Sequence, residues 1–289
     1  MSNMMLGVNN LTDLASLSGG SWLSGFPVTN LQTRQQGIIA RSTNATTANT
    51  KIDVNLGSNR LVRVIGAFNH NFSSAATIQF VAYTDSTRTV IAYDSGAIAV
   101  EPNVFQAGYA TNWDDPTPGT PRQYFGYEKT LLNVKQDFIY VVPSSVERRY
   151  WTFFIADTAN TDGYVQLGRL FIGPGFEPTY NFDFGVKMGV IDNTIVKKAM
   201  DGSSFFDVKP TLRTAQFTIA HMSEIEGYQS IYDILRSSGI NKEVVFIYDS
   251  ADTYNSLRRR FMGVMRQLSD VENTNYGLFQ STFEIEEVL

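Results

Sequence analysis

The side chains best able to do chemistry in this sequence are aromatic and acidic, and they crowd into one stretch. Between Glu101 and Tyr127 stand Tyr109, Trp113, Asp114, Asp115, Tyr124, Phe125 and Tyr127, set among Pro and Gly. Flat aromatic faces beside carboxylates can hold a sugar by stacking and by hydrogen bonds to its hydroxyls. Tyr and Trp also anchor protein interfaces. A third reading is a long loop folded over its own core by its aromatics. Tyr109, Trp113, Asp114, Asp115, Tyr124 and Tyr127 are therefore candidate glycan or subunit contacts, beside that plain-loop reading.

Other chemistries find little support. There is no Cys, so disulfides, thiolate metal sites and Cys nucleophiles are excluded. Zinc needs three or four clustered ligands, and the two His, His70 and His221, lie far apart in sequence. Asp157 and Asp162 fall in one turn, but two carboxylates and some carbonyls fall short of the six or more oxygens that calcium takes. No P-loop, dinucleotide fingerprint or nucleophile elbow is present. The expectation is a protein that is not an enzyme, with no catalytic residue, cofactor or metal.

Charge patterning suggests contact surfaces. Arg258, Arg259 and Arg260 form a basic run, and Glu284, Glu286 and Glu287 an acidic end. Either these are solvated strand ends, or the Arg run of one subunit meets the acidic strand of the next, since guanidinium groups pair with carboxylates in a planar fork. Trp22 is a candidate interface anchor in an otherwise Ser- and Gly-rich start. The net charge is −5 and charged residues are 18%. That argues against nucleic acid as a general partner, because phosphate binding needs a basic surface.

The elements that must position these residues read as strands. Residues 1–25 form a polar N-terminal arm with no basic residue and no apolar run long enough for a signal sequence, and no stretch reaches the roughly 18 apolar residues of a membrane span. Synthesis in the cytoplasm without membrane insertion is expected. From 26 to 173, short strand-like segments follow one another between Ser, Asn, Asp and Gly turns: 51–56 and 60–68, which alternate, then 77–83, 89–93, 138–142, 150–156 and 164–172. Such a run argues a β-sandwich. Gly173-Pro174-Gly175 is a linker. In 174–289, strands at 213–221, 243–248, 260–268 and 276–288 surround one helix, about 223–237. Ser223 caps it, Glu226 closes a capping box, and Ile225, Tyr228, Ile231, Tyr232 and Leu235 make an apolar stripe. The fold class is mainly β, a sandwich followed by a β-barrel or second sandwich with one α-helix.

Two resemblances sharpen this. Ile52-Asp53-Val54-Asn55-Leu56-Gly57, His70-Asn71-Phe72, Arg149-Tyr150-Trp151 and the strand around Gln166-Leu167-Gly168-Arg169 resemble the discoidin or galactose-binding-like jelly rolls. That implies a sandwich with end loops that in some members bind sugar or calcium. Residues 168–189, 212–236 and the closing Phe283-Glu284-Ile285-Glu286-Glu287-Val288-Leu289 resemble the distal-tail proteins of long-tailed bacteriophages. This second resemblance implies a virion protein of a tail tip or baseplate, forming a cyclic homo-oligomer around the tail axis and linking the tail tube to tip or fibre proteins. Two alternatives stand beside it: a glycan-binding adhesin module with a host surface glycan as partner, and a capsid decoration protein.

Overall fold

The computed structural model describes residues 2–100, 137–252 and 256–288. It is mainly β, with antiparallel sheets. Among the described residues no helix is long and apolar enough to cross a membrane.

The first sheet is built on two long strands. Ile52–Phe68 merges the two segments expected at 51–56 and 60–68, and Phe138–Ala156 merges those at 138–142 and 150–156. The merger comes from pairing: the two strands run antiparallel along their length, and irregularities absorb the non-alternating residues between Asn55 and Arg60 and between Val62 and Val64. Pro143 falls opposite the second irregularity, where a missing N–H costs no ladder bond. Thr77–Tyr83 pairs with Phe138–Ala156, and Arg169–Gly173 with Ile52–Phe68. A two-stranded sheet, Ala40–Arg41 with Gln166–Leu167, helps close the sandwich. Its core includes Ile52, Val54, Phe80, Trp151, Phe153 and Leu167.

The second sheet runs in the order Gly175–Phe176, Met5–Gly7, Glu243–Ile247, Arg260–Met265, Leu278–Glu287, Thr211–Met222 and Lys187–Asp192, with Glu272–Asn275 alongside Leu278–Glu287. Alternation in Leu278–Glu287 turns Phe279, Phe283 and Ile285 inward and leaves Thr282 outside. Phe217, Phe246, Phe261 and Phe283 stack in this core. The outer face of the first sheet packs on the second through Val64, Phe68, Phe171, Met5, Val245 and Met262.

The first residues, read from the sequence as an arm, are built into both sheets. Met5–Gly7 is an interior strand of the second sheet, and Ser16–Ser18 pairs with Ile52–Phe68 in the first. Asn10 holds the crossing: its side chain accepts from the Thr12 and Ile172 N–H groups and donates to the Leu170 carbonyl.

The helix starts with the expected box. Ser223 Oγ accepts from the Glu226 N–H at 3.3 Å, and Glu226 accepts from the Ser223 N–H at 3.2 Å. Beyond the box the winding is wider than expected: Ile225–Tyr232 is π-helical, and only Asp233–Ser238 is α-helical. A π-turn advances each residue by less than the α-helix's roughly 100°. Residues four apart still share a face there, as Tyr228 with Tyr232 and Ile231 with Leu235 do, but those three apart drift off it, as Ile231 does from Tyr228. Ile231 and Leu235 are buried, while Ile225, Tyr228 and Tyr232 are exposed, so the expected single apolar stripe is split in two.

Candidate functional site

One exposed apolar surface is a hairpin that local sequence chemistry dictates. Asp201-Gly202 supplies the turn: Gly202 takes a left-handed φ of 85°, and the Asp201 carboxylate accepts from the Ser203 N–H at 2.9 Å and the Ser203 hydroxyl at 2.6 Å. Those hydrogen bonds hold the Asp201 carboxyl below its ordinary value. On either side Ile195–Lys198 pairs with Ser204–Asp207, matching Ile195 to Asp207, Val196 to Phe206, Lys197 to Phe205 and Lys198 to Ser204. Alternation places Val196 and Phe206 on one face, and Ile195 and Phe205 on the other. All eight strand residues are exposed, Phe205 and Phe206 each at 63%.

The hairpin is a separate two-stranded sheet that follows the last matched pair, Asp192 with Thr211, of Lys187–Asp192 and Thr211–Met222. Lys187–Asp192 is the edge strand of the second sheet, and it also leaves Met188 and Val190 exposed. A lone two-stranded hairpin is marginal in water. Exposed apolar side chains on both of its faces mark a contact surface.

The π-helical turn carries the second apolar surface. Ile225, Tyr228 and Tyr232 are exposed at 64, 47 and 50%. Tyr228 is held edge-on against Phe279, with ring centroids 5.2 Å apart. Glu224 and Asp233 flank the patch and are exposed.

A third cluster lies at one end of the sandwich. The Arg41 guanidinium sits 4.9 Å from the Phe26 ring centroid and 4.3 Å from that of Tyr164, and donates to Gln166 Oε1 at 3.0 Å. Asn71 donates to Asp162 at 2.9 Å beside it.

The sequence candidates are distributed differently. Tyr109, Trp113, Asp114, Asp115, Tyr124 and Tyr127 lie outside the described residues. Trp22 is half-buried against the sandwich core and donates to the Gly19 carbonyl at 3.1 Å, so its anchoring is internal. The Arg run and the acidic end do not wait unpaired for a neighbour. Arg260 donates to the carbonyls of Asp249, Ser250 and Asp252. Arg259 pairs with Asp252 at 3.6 Å and covers Tyr248, and Arg258 lies on the Ser256–Arg259 helical turn. Glu284 and Glu286 bracket Arg266 at 2.7 and 3.0 Å. Glu287 is buried and bonds to Arg213, which also meets Asp137 at 3.0 Å. Burial alone would lower the Arg213 guanidinium, and Glu287 and Asp137 more than offset it.

Among the described residues no group of three or more His, Asp or Glu is placed to hold a metal ion. Asp157 is buried and engaged by donors: the Ser73 N–H at 3.0 Å, Asn160 Nδ2 at 2.9 Å, and the Ser73 hydroxyl. His70 stacks on Phe72 at 4.2 Å.

Sequence reasoning missed the hairpin. Its signal is present as Asp201-Gly202 between apolar pairs. The doublets Ile195-Val196 and Phe205-Phe206 hide it, because they break the alternation of a half-buried strand.

No protein-family model matches the chain, and no curated protein matches it. Among solved structures it is similar to the family 32 carbohydrate-binding module of C. perfringens NanJ in complex with galactose, at 10% identity over 58% of this chain and 98% of that one, TM-score 0.37. It is also similar to the lectin domain of lectinolysin complexed with Lewis B antigen, at 11% identity over 57% and 95%, TM-score 0.37. A Streptococcus pneumoniae fucose binding module is a third, at 10% identity over 57% and 95%, TM-score 0.36.

Proposed function

We propose that this chain is a structural subunit of a bacteriophage tail tip or baseplate that assembles with copies of itself into a ring. In this reading residues 174–289 build the ring around the tail axis and residues 26–173 decorate it, joining tube to tip or fibre proteins. One observation carries the self-assembly: a hairpin with Ile195, Val196, Phe205 and Phe206 all exposed on its two faces, outside the buried core clusters of the described residues. The tail context is supported by the resemblance of the second half to distal-tail proteins. Two measurements test it. Sedimentation of the purified chain is expected to show a discrete oligomer, and immunogold microscopy of particles is expected to label the tail end. Label over the head points to a decoration protein instead, and a monomer with no particle labelling removes the structural reading.

A second reading is glycan recognition by the sandwich end. It is favoured by Arg41 held between Phe26 and Tyr164 beside Gln166, Asn71 and Asp162, a polar and aromatic cluster of the kind that meets sugar hydroxyls. Calorimetric titration with galactose and fucose checks it. Saturable heat that Arg41→Ala abolishes supports this site, and no heat at millimolar sugar rejects it for these sugars.

A further inference from the structure

We propose that the 195–207 hairpin of one copy docks on the Ile225, Tyr228 and Tyr232 face of a second copy of this chain. The inference rests on the self-assembly reading and assigns the two surfaces that make the contact. Within one copy they are kept apart. The hairpin springs from the Thr211 end of Thr211–Met222, and the π-helical turn follows its Met222 end. Twelve residues at about 3.3 Å each separate them by on the order of 40 Å. The hairpin follows the Asp192–Thr211 end of the ladder between Lys187–Asp192 and Thr211–Met222, the end opposite the turn, so the face it docks on is that of the next copy.

The surfaces are complementary. The hairpin's own carboxylates are engaged: Asp201 caps the turn and Asp207 pairs with Lys209 at 3.0 Å. Lys197 and Lys198 form no ion pair among the described residues, so the hairpin presents lysines beside Phe205, Phe206 and Val196. The receiving face presents Glu224 and Asp233 beside Ile225, Tyr228 and Tyr232, with Arg236 exposed one turn further on and the face net acidic. Apolar side chains meet apolar side chains, and ammonium groups meet carboxylates at the rim. A stable interface uses roughly 20–30 residues a side; the hairpin with the edge strand behind it, 187–208, is a segment of that size.

Two unlike patches on one chain make a head-to-tail contact, which closes into a ring or propagates as a fibre. This gives a charge-exchange test on the full chain. One variant carries Lys197→Glu and Lys198→Glu, and another carries Glu224→Lys and Asp233→Lys. All four side chains are exposed, so both variants are expected to keep the parent circular dichroism spectrum. Each alone should dissociate at least about tenfold more readily than the parent in sedimentation, because like charges now face each other. An equimolar mixture should associate at concentrations where neither variant alone does, in alternating order, because each reversed surface finds its opposite on the other variant. Parent-like assembly of either variant alone, or no recovery in the mixture, overturns this docking while the parent's oligomer still stands. A parent chain that stays monomeric throughout overturns both the docking and the self-assembly reading.

Discussion

Arg169 is the side chain on which most of the molecule converges. It is fully buried, and its Nη2 lies 2.6 Å from Glu243 of the second sheet and 2.6 Å from Asp13 of the N-terminal crossing. Its Nη1 reaches the Leu31 carbonyl at 3.3 Å. Glu243 Oε1 has no hydrogen-bond partner among the described residues. Burial accordingly pushes the Glu243 carboxyl above its ordinary value, and Arg169 pulls it back only in part. Removing one partner of such a group strands the other charge in an apolar interior. Arg169→Ala is therefore expected to cost about 3–5 kcal/mol, read as a lower urea midpoint. Arg60, on the exposed middle of its strand, is the control: Arg60→Ala should stay within about 0.5 kcal/mol.

At the scale of elements, the N-terminal strand is the piece most needed for its size. Met5–Gly7 fills a slot between Gly175–Phe176 and Glu243–Ile247, with Met4, Met5 and Leu6 fully buried. Each such side chain contributes about 1.5–3 kcal/mol. A chain lacking residues 1–8 loses a sum comparable with the whole stability of an ordinary domain. Loss of the cooperative thermal transition is the expected result. The strand's start is pinned by Asp249, which accepts from the Ser2 hydroxyl and, at 2.9 Å, from the Ala251 N–H. Burial alone would raise the Asp249 carboxyl, but these bonds outweigh it and hold it below its ordinary value. A depressed carboxyl contributes stability above the ordinary aspartate range and loses it as pH falls toward the folded value. Asp249→Asn should therefore melt lower than the parent at neutral pH and converge with it in acid, as checked by thermal melts from neutral pH downward.

On the scale of the whole molecule, the buried core clusters contrast with the exposed apolar residues of the hairpin. Surface changes away from buried features leave stability nearly unchanged. Phe205→Ser with Phe206→Ser should thus keep the parent stability within about 0.5 kcal/mol, yet weaken the oligomer. Hydrogen exchange offers an independent check. The amides of 195–207 should exchange fast in dilute, dissociated protein and gain protection once the protein is concentrated enough to assemble, because only the partner covers them.

Alternation along 213–221 and 276–288 marks strands whatever surrounds them, because a half-buried strand must show period two. The Ser223–Glu226 box and Gly239 likewise declare the helix ends locally, through groups a few residues apart. The absence of Cys settles thiol chemistry by itself. Tertiary structure decided the rest, for reasons that spacing along the chain cannot carry. Two short strands became one wherever a long partner bridged the irregular residues between them. The π-winding turned Tyr228 and Tyr232 outward, although their spacing fits an inward stripe. Arg259, Arg260 and the acidic end found partners within the chain, which depends on the fold placing Asp252, Arg213 and Arg266 beside them. The first strand joined a sheet whose other strands all lie beyond Pro174, a pairing set by three-dimensional packing.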